Sequence, residues 1–219
     1  MFKRLILLSL VALLANCSYN GIDVSVWQGP NINFNAVKNS GINFVIMRAG
    51  YRQAVDKHFE TNYRKAKAAG LNVGAYWYSY AGSVGDSTAE ANAMLNAMRG
   101  KQFEYPVYYD IEERSIFNKG RDFTSSIARN FCNILQDKKY YCGIYSSLSS
   151  FKSFFHTDVK HKYTIWVAQW ASRCTYDEPY HVWQKSSKGS VPGISGNVDL
   201  DVSYVNFPPI MKEKHLNGF

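Results

Sequence analysis

An irregular, flattened α/β barrel of about eight strands is the fold class predicted for this chain of 219 residues, and three observations lead there. Short β-branched and aromatic runs recur along the chain, helical stretches separate several of them, and polar residues collect where the runs end. The runs are 21–25, 44–50, 72–79, 105–112, 141–146, 163–170, 181–185 and 198–204. Helical periodicity fills 56–69, which stops at Gly70, and 87–99, which stops at Gly100. It also fills 123–137, where Asp122 is suited to cap the first turn. Strand, helix and strand in alternation build a parallel sheet with right-handed crossovers, and roughly eight such strands close naturally into a TIM-like barrel. The later connections are too short for full helices, so the second half of the barrel is expected to be irregular. Barrels of this kind carry their chemistry at the carboxyl ends of the strands.

The first residues read as an address. Lys3 and Arg4 precede an apolar run, 5–15, followed by small or polar residues, which is the three-part layout of a secretory signal peptide. The run is too short to span a bilayer comfortably. Cleavage after Cys17 puts Ala15 and Cys17 at the small-residue positions, and cleavage after Ala15 is the alternative. A lipoprotein reading of 14–17 ranks second, because Asn16 stands where that signal prefers a small side chain. Residues 1–17 are therefore expected to be removed, leaving 18–219 as one exported, soluble, monomeric domain. Its destination is the exterior or the lumen of a secretory or digestive vacuole. No later segment is long and apolar enough for a membrane helix.

Loss of Lys3 and Arg4 lowers the formal charge from +8 to +6, since 23 cations then face 17 acids. A basic exported protein is drawn to anionic polymers, bacterial walls among them. The cations are scattered and form no nucleic-acid-reading helix. Cys132, Cys142 and Cys174 remain after removal of Cys17, which allows one disulfide and one free thiol. Cys132 with Cys142 is the first choice, closing a short helix-to-strand connection. No Cys or His has ligand spacing, so neither a metal nor another cofactor is expected. The 16 Tyr and 5 Trp exceed what a core requires, and surplus rings often line grooves that take partly apolar ligands such as sugars.

The most informative stretch is 108–113, Tyr-Tyr-Asp-Ile-Glu-Glu. Asp110 and Glu112 end a β-prone run two positions apart, so they share a face with backbones about 7 Å from each other. Two like charges this close in a partly dry cleft push their pKa values apart, leaving one group as a proton donor while the other stays ionised. For an isolated pair the competing reading is a solvated strand end. Asp23 in the first run and Asp199 in the last add to the pair, because first and last strands are neighbours in a closed barrel. Each alone is more often an N-cap, a turn residue or a solvated charge, and Asp201 shares the parity of Asp199. Gln28, Tyr78, Tyr145, Trp166, Gln169, Trp170 and Gln184 fall at or near strand ends, where packing and ligand contact are competing roles.

Taken in order, these runs resemble glycoside hydrolase family 25, the Chalaropsis-type lysozymes or N-acetylmuramidases. The resemblance rests on 21–25 with Gln28-Gly29, then 44–51, 73–81, 106–112, 143–146, 165–170, 182–184 and 196–201, and covers the chain from about Gly21 to Val205. It implies a flattened, incomplete β/α barrel that cleaves the β-1,4 bond between N-acetylmuramic acid and N-acetylglucosamine in bacterial peptidoglycan. The family's central acids map onto Asp110 and Glu112, with Glu112 as general acid, and its outer acids onto Asp23 and Asp199. Many members carry His-Phe where this chain has Trp77-Tyr78, which leaves a contact there unassigned. Closely spaced carboxyls favour retention of configuration, through the substrate's own acetamido oxygen or through an Asp nucleophile. A non-catalytic, lectin-like barrel and a structural envelope protein are the competing classes, and the four acids argue against both.

Overall fold

The computed structural model describes residues 18–219. The expected signal segment, 1–17, lies outside them. Among the described residues one sheet contains β1 (Tyr19–Val24), β2 (Phe44–Tyr51), β3 (Ala54–Val55), β4 (Asn72–Tyr78), β5 (Val107–Asp110), β6 (Cys142–Ser147), β7 (Thr164–Ala168), β8 (Val182–Gly189) and β9 (Val198–Ser203). Pairing of β1 with β2 and with β9 closes eight of them into a barrel, while the two-residue β3 hangs on the edge of β2. The eight expected strands are thus all present.

Their direction differs from the all-parallel expectation. Strands β1, β2 and β4 to β8 run parallel, but β9 is antiparallel to both β8 and β1. The cause is the short β8–β9 connection: a few residues allow a hairpin and cannot carry a crossover. Direction has a chemical consequence, because it brings the start of β9 to the carboxyl end of the parallel strands. Asp199 therefore lies directly across from Asp23.

Helices α1 (Phe34–Asn39), α2 (Phe59–Ala68), α3 (Val84–Met98), α4 (Arg114–Phe117) and α5 (Gly120–Asp137) cover the first half of the barrel. The short α6 (Leu148–Phe154) and α7 (Thr157–Lys162) follow β6, and no helix separates β7 from β8, so the second half is irregular as expected. On α5 the buried residues Ile127, Ala128, Phe131, Cys132 and Leu135 form one stripe at helical spacing. The helix starts at Gly120, ahead of the expected boundary. Asp122 consequently sits inside the first turn, where a negative charge suits the helix dipole, and hydrogen-bonds His156 at 2.6 Å. Gly70 and Gly100 follow α2 and α3 with φ of 71° and 72°, the left-handed geometry that ends a helix. A disulfide joins Cys132 on α5 to Cys142 at the start of β6, and Cys174 is free.

Side chains alternate between two cores. On β5, Tyr109 points outward and stacks on Phe131 of α5 with centroids 3.8 Å apart, whereas Tyr108 and Asp110 point inward. Inside the barrel, Phe44, Ile46, Tyr76, Tyr105, Tyr108, Tyr145 and Trp166 fill the space. Strand glycines make room for them: a Cβ on Gly21 would lie 2.2 Å from the Phe44 ring, and one on Gly143 would lie 2.3 Å from Thr164. Residues 207–219 form a plug under the barrel core. Helix α8 (Phe207–Glu213) packs Phe207 edge-on against Tyr105, and the buried Asn217 accepts a hydrogen bond from the Tyr141 amide at 2.7 Å. Pro208 and Pro209 supply the start of α8, where a missing N–H costs nothing.

Candidate active site

At the carboxyl end of the barrel the inward rows change from apolar to acidic. Strand β5 ends at Asp110. Extended pairing nevertheless continues through Ile111, whose amide donates to the Tyr145 carbonyl at 3.1 Å, so Glu112 keeps the parity of Asp110. Asp23 comes from β1, Asp199 and Asp201 from β9. Five carboxyls thus surround one opening. Asp23, Asp110 and Asp201 are buried, Asp199 is half-buried, and Glu112 stands open at the mouth.

Burial dominates their electrostatics. Asp110 is raised well above the ordinary carboxyl range, by loss of water first and then by the charges of Glu112 and Asp23, with Arg48 opposing. Glu112 is raised to about 7 because the walls of the concavity strip water from it, although its own surface remains accessible. Its hydrogen bond with Asp110 works the other way, and Asp199 and Glu113 add repulsion. A hydrogen bond between two carboxyls requires a proton, so Asp110 and Glu112 titrate as a pair. Oδ1 of Asp110 is buried and receives no hydrogen bond.

Asp23 is also raised well above its usual range, by burial and then by Asp201 and Asp199. Gln184 Nε2 donates to Asp23 Oδ2 at 2.8 Å. The orientation of that amide is fixed from behind, since Tyr145 Oη and Trp170 Nε1 both donate to Gln184 Oε1 at 3.0 Å. Trp166 Nε1 donates to Asp201 Oδ1 at 2.8 Å.

These bonds sort the sequence-derived candidates by depth. Trp166, 1% exposed, and Tyr145 lie within the barrel core, where they hold the acid cluster from below and offer no face to the cleft. Gln184 is likewise buried against Asp23. Both ends of the Gln169 side-chain amide bind Thr175, at 2.7 and 2.8 Å, so it fastens a loop. Trp170 is 65% exposed and presents an open ring. Tyr78 stands at the cleft wall with its hydroxyl donating to Glu113 at 2.8 Å. Gln28 reaches back to the Ser25 amide and caps the turn that follows β1.

Several neighbours escaped the sequence reading. That turn carries Trp27, 84% exposed. Beside it lies a hollow of about 460 Å³ walled by Trp27, Tyr51, Tyr78 and Tyr80, with Arg48 and Lys57 adding positive charge. The buried Asp56 secures this wall, accepting from Arg48 Nε at 2.8 Å, the Val26 amide at 3.1 Å and the His58 amide at 3.0 Å. Arg48 shares the inward parity of Phe44 and Ile46, the one signal that marked it. The ensemble places a carboxyl pair raised by burial beside an open aromatic hollow, an arrangement suited to general acid chemistry on a ligand with apolar faces.

The chain is similar to known proteins over most of its length. The model of the family described as Glycosyl hydrolases family 25 matches residues 22–194. An autolytic lysozyme of Clostridium acetobutylicum is 33% identical over 183 residues, covering 83% of this chain and 54% of that protein. The chain therefore spans about half the length of that relative. Among solved structures, the modular autolysin LytC of Streptococcus pneumoniae in complex with a synthetic peptidoglycan ligand superimposes with a TM-score of 0.78 at 26% identity, over 85% of this chain and 47% of that one. The bacterial lysozyme of Streptomyces coelicolor gives 0.73 at 26% identity, over 87% and 94%. With its barrel, its carboxyl-end acids and a family match across most of its length, this chain belongs to glycosyl hydrolase family 25.

Proposed function

We propose that the chain is an exported N-acetylmuramidase that hydrolyses the β-1,4 bond between N-acetylmuramic acid and N-acetylglucosamine in bacterial peptidoglycan. The observation that carries this reading is the Asp110–Glu112 pair, which holds a proton near neutrality at the mouth of an aromatic cleft. Relatives described as lysozymes support the substrate class. Glu112 is the general acid, Asp23 and Asp199 tune the pocket, and Trp170 and Tyr78 contact the glycan.

Catalysis proceeds with retention, assisted by the substrate. The acetamido N–H of the muramic sugar donates to the Asp110 carboxyl. That bond favours the Asp110 anion and leaves the shared proton on Glu112. The acetamido oxygen then attacks the anomeric carbon as Glu112 protonates the departing glycosidic oxygen, and Asp110 stabilises the oxazolinium charge. Glu112, now a carboxylate, takes a proton from water, whose oxygen opens the ring and returns the β-anomer. Purified peptidoglycan incubated with the protein is expected to yield muramic acid at new reducing ends, with the β-anomer first by NMR. New N-acetylglucosamine reducing ends would reassign the bond, and an α-anomeric first product would exclude retention.

A further inference from the structure

We propose that Asp201 is a positioning residue that holds one proton against Asp23, so that this buried carboxyl pair carries a single negative charge, kept on Asp23. The inference deepens the muramidase reading and rests on it for its link to catalysis. The geometry is that of diagonal neighbours on an antiparallel pair: Asp23 faces Asp199 and Asp201 faces Gly21, all turned into the barrel. Asp201 is 1% exposed, and its two oxygens differ. Oδ1 accepts from Trp166 Nε1, while Oδ2 is buried and receives no hydrogen bond. An ionised Asp201 would leave a charged Oδ2 dry and without a hydrogen bond, a cost that the Trp166 bond to Oδ1 and the charge of Lys185 offset only in part, since Asp201 remains raised. As a neutral acid, Asp201 turns Oδ2 into a donor toward Asp23, its diagonal neighbour across β1 and β9. The contact between the two acids by itself raises Asp23 and lowers Asp201, so the choice of proton holder rests on the donors each acid has from other groups. Asp23 can accept that bond as an anion because Gln184 donates to its Oδ2, and neither of its oxygens is buried without a partner.

The groups around the pair set the balance. Asp199 on β9 repels both acids, Lys185 on β8 favours an ionised Asp201, and the hydroxyls of Tyr108 on β5 and Tyr145 on β6 lie close by. Repulsion from Asp199 by itself does not choose between the two acids. The donor inventory does: Asp23 has a fixed amide and an oxygen toward the cleft, whereas Asp201 has one indole and a blank side.

Asparagine copies the neutral acid at either position, with an oxygen for Trp166 or Gln184 and an N–H for the partner, so the two replacements are opposite tests. Asp201→Asn is expected to keep kcat within about fivefold, whereas Asp201→Ala, which leaves Asp23 without its donor, loses roughly ten- to a hundredfold, mostly in kcat. A second readout needs no substrate. Titration of 13C-labelled aspartate by NMR, with signals assigned by single substitution, should show the Asp201 carboxyl protonated at pH 6 to 7 in the wild type and that signal absent in Asp201→Asn, with the Asp23 signal ionised in both. Near-normal activity of Asp23→Asn with an inactive, folded Asp201→Asn would place the proton on Asp23 and overturn the proposal. So would an Asp201 signal that is ionised at pH 6. If the protein failed to cleave peptidoglycan at all, the muramidase reading would fall while the NMR result still decided the proton.

Discussion

The two ends of the barrel continue the same inward-facing rows to opposite effect. At the amino end, Phe44, Tyr105, Phe207 and Met211 pack together under α8, and ring burial of this kind contributes roughly 1.5–3 kcal/mol per side chain. Two or four residues further along the same strands, β1 changes from Gly21 to Asp23, β2 from Phe44 to Arg48 and β5 from Tyr108 to Asp110. There five carboxyls share one opening, and every one of them is raised by burial. A raised carboxyl binds protons more tightly folded than unfolded, so each of these acids destabilises the fold once it must ionise. The amino end thus stabilises a scaffold on which the carboxyl end can hold protons that water would remove.

Substitutions at the two ends should therefore separate activity from stability. Glu112→Gln removes the proposed proton donor and keeps its shape, and about a thousandfold loss of kcat/KM is expected, with a thermal midpoint above neutral pH no lower than the wild type's. Near-normal turnover by the folded variant would remove Glu112 from the acid role. Phe207→Ala, at the plug, should cost about 3–5 kcal/mol in denaturant unfolding while the molecules still folded turn over normally. A large drop in their kcat would mean that the two ends are mechanically coupled. Replacing Cys132 and Cys142 together by Ser, away from the acids, should cost about 2–4 kcal/mol and spare kcat. The smallest effect concerns charge: activity on whole cells should fall a few fold as salt shortens the Debye length to about 8 Å, while a short neutral glycan is cleaved at an unchanged rate. Equal salt sensitivity on both substrates would place the effect in the site and not in wall capture.

The order of elements was legible in the sequence because local patterns encode it: the helical stripe of α5, the glycines after α2 and α3, and the aromatic runs of β4 and β5. The pairing of acids on β5 was legible because parity survives the end of the strand. Direction and depth were not. Val-Asp-Leu-Asp-Val reads the same whether β9 runs with or against its neighbours, and only the hairpin with β8 decides it. Trp166 and Trp170 share parity, but four residues of rise put one inside the barrel and the other in solvent. Asp201 and Arg48 carried the correct parity without any mark of depth. The plug escaped the sequence reading for a different reason: it follows the last barrel strand and belongs to no strand–helix repeat, although prolines at a helix start, as at Pro208 and Pro209, are a signal that could have marked α8.

The most direct test measures kcat/KM on a soluble muropeptide and the thermal midpoint together between pH 6.5 and 8. Below 6.5 the half-buried His181, lowered to about 4 by loss of water, adds stability as pH rises and opposes the carboxyls; above 6.5 its contribution is constant. Glu112 gives up its proton near 7 and Asp201 near 8. If the carboxyl end stores protons for catalysis at the expense of the fold, kcat/KM falls about tenfold per pH unit above about 7 and the midpoint falls across the same window. Activity that stays level through pH 8 with a steady or rising midpoint would contradict that claim.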